Sequence, residues 1–393
     1  MEKTWRWFGK KDAITLSMLR QIGVEGIVTA LYDIPNGEIW SLEAILNQKR
    51  YIEAAGLRWS VVESLPVSEA IKNASEDRDL LIKNYIISLA NLGKAGIKTV
   101  CYNFMPVIDW VRTDLDYPLE DGSSTTYFDK TRCIYFDCRV LKREGAENDY
   151  TDEEMFLVHE LDKVITEKEK DMLVDSIIVK TQGFVNGNFK GANQNLIAIF
   201  NHLLSLYKGI GKETLRRNMQ YFLEQIMPVC EEYGINMCVH PDDPPWQLFG
   251  LPRIVSGQDD IRWILHAVDN PHNGLAFCAG SLSAGLHNDL LQMAEEFASR
   301  TRFVHLRSTQ VFDNGDFIEA PHLEGRGHLI ELVRIFEKKN PGLPMRVDHG
   351  RLMLDDKDKN YNPGYSFLGR MFALAQMDGV IATVKDELQR NII

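Results

Sequence analysis

Four short stretches in the second half of this 393-residue chain carry residues that can hold a metal or move a proton. They are MCVHPDDPP with His240, Asp242 and Asp243, LAFCAGS with Cys278, FVHLRS with His305 and Arg307, and RVDHGR with Asp348, His349 and Arg351. In each, the polar groups end an apolar run. One donor from each stretch, taken as His240, Cys278, His305 and Asp348, makes two imidazoles, a thiolate and a carboxylate. Four protein ligands close a tetrahedral site, so a catalytic ion must expand its coordination to admit substrate or water. By softness alone the thiolate favours Zn²⁺ or Fe²⁺. No compact motif such as HExxH is present, so only a fold that gathers distant strand ends could assemble this set. Singly, each residue has a plainer reading: a hydrogen-bonded core histidine, a small buried hydrophobe, or an aspartate capping the next helix. Asp243, before two prolines, shapes a turn. Convergence on one rim is what turns the set into a site.

The elements that would gather them alternate along the chain. Short runs rich in β-branched residues occur at Thr4–Phe8, Gly26–Tyr32, Trp59–Leu65, Thr99–Met105, Asn236–His240, Leu275–Cys278, Arg302–Leu306 and Met345–Asp348. Continuous apolar character is expected of strands covered on both faces. Helical periodicity fills the gaps, as in Leu42–Gly56, Asp77–Gly96 and Glu213–Gly234, each ending at a glycine; Pro228 would kink the third. Eight strands, each followed by a helix, predict the α/β class and a (β/α)8 TIM barrel, with 1–393 as one domain. A doubly wound sheet is the runner-up, weakened by the lack of a GxGxxG after an early strand. The alternation breaks after strand four, where residues 107–212 form a long insertion in place of a connection of roughly 2–6 residues. Within it DYPLEDGSSTTYFD reads as a loop, EEMFLVHELDKVITEKEKDMLV as one helix, GFVNGNFKGANQN as a turn region and LIAIFNHLLSLYKGIG as a helix. Following a strand, the insertion should lie at the catalytic mouth, as a cap or a subunit contact in a homo-oligomer.

Bulk properties narrow the classes. A net charge of −12 disfavours nucleic acid as a partner. No apolar stretch is long enough to span a bilayer. The start has no apolar signal region, and the six cysteines are sparse and unpatterned, so a reduced cytoplasmic setting is expected. Cys133 and Cys138 bracket IYFD and do not form a CxxC pair.

At the rim residues the sequence resembles the mannonate dehydratases of hexuronate breakdown. The resemblance is carried by RWFGKKD, GIVTALYDIP, CYNFMPVIDW, HPDDPP with FGLPRI, CAGS, HLRS, DHGR and PGY, running from Trp5 to Tyr365 outside the insertion. It implies a TIM barrel related to xylose isomerase and conversion of D-mannonate to 2-keto-3-deoxy-D-gluconate and water. It implies Mn²⁺ or Fe²⁺ on His240, Cys278, His305 and Asp348, and a purified sample could carry Zn²⁺ instead. It also implies proton handling by His349 and Tyr365.

Dehydrating a 2,3-dihydroxy acid requires loss of the C2 proton and of the C3 hydroxyl. A divalent ion and an acid/base pair meet that need, and no nicotinamide is required. Arg307 is expected to clamp the substrate carboxylate, because its planar fork suits one. Glu63 and Asn103, at the ends of strands three and four, could hydrogen-bond sugar hydroxyls. Lys10 and Lys11 read as solvated loop residues. The rival readings are a sugar isomerase or epimerase on the same metal barrel and a non-catalytic sugar-acid binding protein.

Overall fold

The computed structural model describes residues 1–182 and 195–391. Twelve strands are present among them: β1 (Glu2–Arg6), β2 (Gly26–Thr29), β3 (Arg58–Glu63), β4 (Thr99–Tyr102), β5 (Asp114–Pro118), β6 (Ser124–Phe128), β7 (Asn236–Val239), β8 (Asn273–Cys278), β9 (Thr301–Leu306), β10 (Ser308–Val311), β11 (Phe317–Ala320) and β12 (Pro344–Val347). Eight of them close a parallel barrel in the order β1-β12-β9-β8-β7-β4-β3-β2. These are the eight runs read from the sequence. Helices pack outside, and the strands are apolar on both faces because the inner face meets the plug and the outer face meets the helices.

Period-two alternation decides what the barrel presents. Val28, Val61, Cys101, Cys238, Ala276 and Phe303 form a buried plug inside it. Two residues further along the same strands, on the same inward face, stand Glu63, Asn103, His240, Cys278 and His305. Cα registry sets these levels side by side, with Cys101 opposite Cys238, Cys278 opposite His305, and His305 opposite Arg346. The chemistry therefore begins where the apolar plug ends.

The remaining four strands form a separate antiparallel sheet, β10-β11-β6-β5. The chain passes from β9 through Arg307 straight into β10. This corrects two expectations. DYPLEDGSSTTYFD is a hairpin, not a loop: β-branched and aromatic residues pair across a turn at Asp121–Gly122, with Gly122 at φ +81°. Strand seven of the barrel is not followed directly by a helix, since β10 and β11 intervene, turning at Asn314–Gly315 with Gly315 at φ +87°.

The segment EEMFLVHELDKVITEKEKDMLV is also corrected, from one helix to two, Asp152–Asp162 and Glu167–Val174. Thr166 and Glu169 form a capping box that starts the second afresh, as Thr151 and Glu154 do for the first. Helix Leu196–Ser205 stands where one was expected, and the turn region 183–195 lies almost wholly outside the described residues. Pro228 sits inside the continuous helix Lys212–Tyr233. All six cysteines are free and buried. No described helix is long and apolar enough to cross a membrane.

Candidate active site

His240, Cys278 and His305 bring their ligand atoms within 4.8 Å of one another at the C-terminal mouth of the barrel. His240 Nε2 and His305 Nδ1 are 3.1 Å apart, and two nitrogens each about 2.1 Å from one ion stand roughly 3.0–3.4 Å apart. His240 Nδ1 is 2.7 Å from the Pro241 carbonyl oxygen. With an ion bound, donation there leaves Nε2 unprotonated and facing the other donors. Asp348 Oδ2 lies beside this trio, 3.8 Å from His305 Nδ1 and 4.0 Å from Cys278 Sγ, and accepts from Arg307 Nε at 2.8 Å. The donors and spacing fit a divalent cation.

Electrostatics favours the ligating forms of the two acids. Burial alone would raise the Cys278 thiol, but Arg307 and His240 outweigh it and hold the thiol well below its usual range. Ser281 Oγ donates to the sulfur at 3.2 Å. Burial would likewise raise Asp348, yet Arg346, His349 and Arg307 keep it far down. His240, which burial alone would depress, is raised to about 10 by the Cys278 thiolate, so without an ion a proton takes its place between these ligands.

Around the donors runs a buried chain of alternating charge. Arg6 Nη1 meets Glu63 Oε1 at 2.8 Å. Glu63 accepts from Arg346 Nε and Nη2, each at 3.0 Å, and Arg346 Nη1 reaches Asp348. Arg307 then links Asp348 (Nε, 2.8 Å), Glu319 (Nη1, 2.7 Å) and Asp243 (Nη2). Arg112 closes the far end, at 2.7 Å from both Asp243 Oδ1 and Glu319 Oε1. Burial would raise Glu63, but Arg346 and Arg6 bring it down to about 2.

His349 and Tyr365 face the same narrow cavity as Glu63, Asn103, His240, Arg307 and Asp348. Their rings meet edge to face, with centroids 5.3 Å apart. Burial and the nearby Asp348 carboxylate raise the Tyr365 phenol, so it keeps its proton at neutral pH. A larger cavity of about 630 Å³ lies on the outer side, between Phe8, Tyr32, the β5–β6 hairpin and residues 359–366. Among the described residues the metal-ligating cluster His240, Cys278 and His305 lies elsewhere, at the narrower space.

Every rim residue singled out in the sequence is thus near the mouth, but not all face the cavity. Asp242 is spent on the Val255 N–H and the Ser256 hydroxyl, holding the GLPRI loop. Arg351 pairs with Asp121. Lys10 is exposed, with its ammonium over the Tyr51 ring at 4.7 Å. Arg307 lines the cavity, but each of its three nitrogens already serves a carboxylate of the protein.

Arg6, Arg112, Glu319 and Arg346 were not among the residues read from the sequence. Arg346 carried a signal, standing two residues before Asp348 on the same strand face. The NG turn ahead of Glu319 marked a hairpin, but nothing local aimed that carboxylate at the mouth.

Comparison with known proteins identifies the family. The family model described as D-mannonate dehydratase (UxuA) matches residues 1–391. A mannonate dehydratase of Marinomonas sp. (strain MWYL1) is 46% identical, covering 99% of this chain and 100% of that protein. One from Chromohalobacter salexigens is 44% identical, covering 98% and 99%. The crystal structure of mannonate dehydratase from Streptococcus suis serotype 2 superposes with a TM-score of 0.79 at 34% identity, covering 99% of this chain and 96% of that one. A D-tagatose 3-epimerase-like protein, 10% identical with a TM-score of 0.53, shares the fold. By sequence over its full length and by the barrel it forms, this chain belongs to the D-mannonate dehydratase (UxuA) family.

Proposed function

We propose that this chain is a hydro-lyase that converts D-mannonate to 2-keto-3-deoxy-D-gluconate and water, with Mn²⁺ or Fe²⁺ held by His240, Cys278, His305 and Asp348. The observation that carries the reading is the meeting of His240, Cys278 and His305 at one rim, with the Asp348 carboxylate, an imidazole and a protonated phenol beside them. Bound there, the ion supplies Lewis acidity, spreading the charge that builds on the substrate's carboxylate end when the C2 proton leaves.

The residues divide the proton work. Tyr365 holds its proton and is the acid that delivers it to the departing C3 hydroxyl. His349 is the base that takes the C2 proton. The C2–H electron pair forms the C2–C3 double bond as the C3–O bond breaks, and the enol tautomerises to the 2-keto acid with no net redox change. Asn103, Glu63 and Arg307 line the cavity and meet the substrate's hydroxyl and carboxylate oxygens. Of these Asn103 contributes most directly, because Glu63 and Arg307 are first committed to holding Arg346, Arg6 and Asp348. The mouth sheet, which includes the insertion's β5–β6 hairpin, serves as a cap.

The test is incubation of Mn²⁺-loaded protein with D-mannonate, beside an EDTA-treated control. A 2-keto-3-deoxy acid lighter than the substrate by one water, absent from the control, is the expected product. A product of unchanged mass would make the protein an isomerase or epimerase, and no turnover on any aldonate would make it a binding protein.

A further inference from the structure

His349 carries the base role in the reading above, yet its ring is governed by a residue of another sheet. Its Nδ1 lies 3.0 Å from Glu319 Oε1, and both side chains are buried. Its Nε2 is 3.9 Å from Asp348 Oδ1, too far for a hydrogen bond. The Trp110 ring packs beside the imidazole at 4.7 Å. On another side the backbone of Gly364 comes so close that a Cβ there would sit 2.9 Å from the ring. Packing thus fixes where the ring lies, and the carboxylate fixes which nitrogen is protonated. Glu319 itself cannot drift. Its backbone is in β11, between β10 and β6, and its Oε1 also accepts from Arg112 and Arg307 at 2.7 Å each.

We propose that Glu319 is the positioning residue for His349, accepting its Nδ1–H so that an unprotonated Nε2 faces the cavity. A carboxylate on Nδ1–H selects this tautomer and holds the ring in place while the C2 proton is taken. The antiparallel mouth sheet then has a part in catalysis. It is the element that delivers this carboxylate. The inference rests on the dehydratase reading for its kinetic consequence but not for its structural one.

Two measurements test it separately. In Mn²⁺-loaded protein, Glu319→Gln keeps the side chain's shape and removes its charge, and Glu319→Ala removes the acceptor. Kcat for D-mannonate should fall about 10-fold or more in the first and about 100-fold in the second, with KM within about threefold and bound metal unchanged. Kcat within twofold of wild type in Glu319→Gln, or a loss that only follows lost metal or lost fold, would overturn the proposal. If Glu319→Ala does not fold, Glu319→Gln decides. The second measurement needs no substrate. In zinc-loaded, ¹⁵N-histidine-labelled wild type, with the His349 signals assigned through His349→Gln, Nδ1 should carry a proton at neutral pH. An unprotonated Nδ1 there would overturn the proposal even if D-mannonate were not the substrate.

Discussion

At the scale of single residues, Tyr365 and Arg307 lead to opposite patterns of loss. Tyr365 touches the reacting space and holds no donor position, so Tyr365→Phe should lower kcat by about 10²–10⁴-fold while bound metal, measured by elemental analysis, stays at the wild-type level. Turnover near wild type would remove the phenol from the acid role. Arg307 is different because Asp348, Glu319 and Asp243 all lean on one guanidinium. Lysine offers a point charge without the fork and cannot serve three carboxylates in their present places. Removing one partner of a buried ion pair costs about 3–5 kcal/mol. Arg307→Lys should therefore lower the thermal midpoint and weaken Mn²⁺ binding, about 10–100-fold for a residue that orients a ligand. Titration of the ion into the apo variant checks this. A raised KM with unchanged metal affinity would instead make Arg307 the substrate clamp.

Among the elements, the helix Ala279–Ala284 shows how closely a motif can be tied to the site. It starts directly after Cys278, and a Cβ on Gly280 would lie 2.2 Å from Arg307 Cγ. Arg307 cannot yield, since its far end is pinned on three sides. Gly280→Ala should cost about 1–3 kcal/mol through overpacking and should weaken metal binding along with Arg307→Lys, read by denaturant unfolding and by the same titration. Wild-type values in both would mean that the arginine has slack. The CAGS stretch was legible in the sequence for its cysteine but not for its glycine, whose neighbour comes from another strand. The same contrast holds across the fold. The barrel strands could be read because burial on both faces writes itself as continuous apolar runs, and their ends because the period of two carries straight from plug to rim. The mouth sheet could not. Its first hairpin reads as a loop in the sequence, and β6 pairs with β11 across nearly 190 residues, a partnership that nothing local marks.

Over the whole molecule, the buried charge chain that frames the site joins residues as far apart as Glu63 and Arg346, 283 positions along the sequence. No single strand's pattern marks arginines whose partners lie so far along the chain, and the network ties acid stability to the mouth. Glu63 and Glu319 are both held at about 2 by their arginines. Their contribution is complete above the usual carboxylate range and is lost only as pH falls towards 2. His322, beyond β11, responds at milder acidity. Burial lowers its imidazole to about 4, and its Nε2 has no hydrogen-bond partner among the described residues. A histidine depressed in the folded state binds its proton more readily in the unfolded one. Stability is then full above about 6.5, the ordinary histidine value, and declines as pH drops from there towards 4. The shift corresponds to roughly 3 kcal/mol over that window. Protons also compete with the ion for His240 below about pH 10, so wild type and His322→Gln must be compared in one metal state. In the apo proteins, the thermal midpoint of wild type should fall more steeply than that of His322→Gln between pH 6.5 and 4, and the two should run parallel above pH 7. Parallel curves throughout would place the acid-labile step in the carboxylates alone.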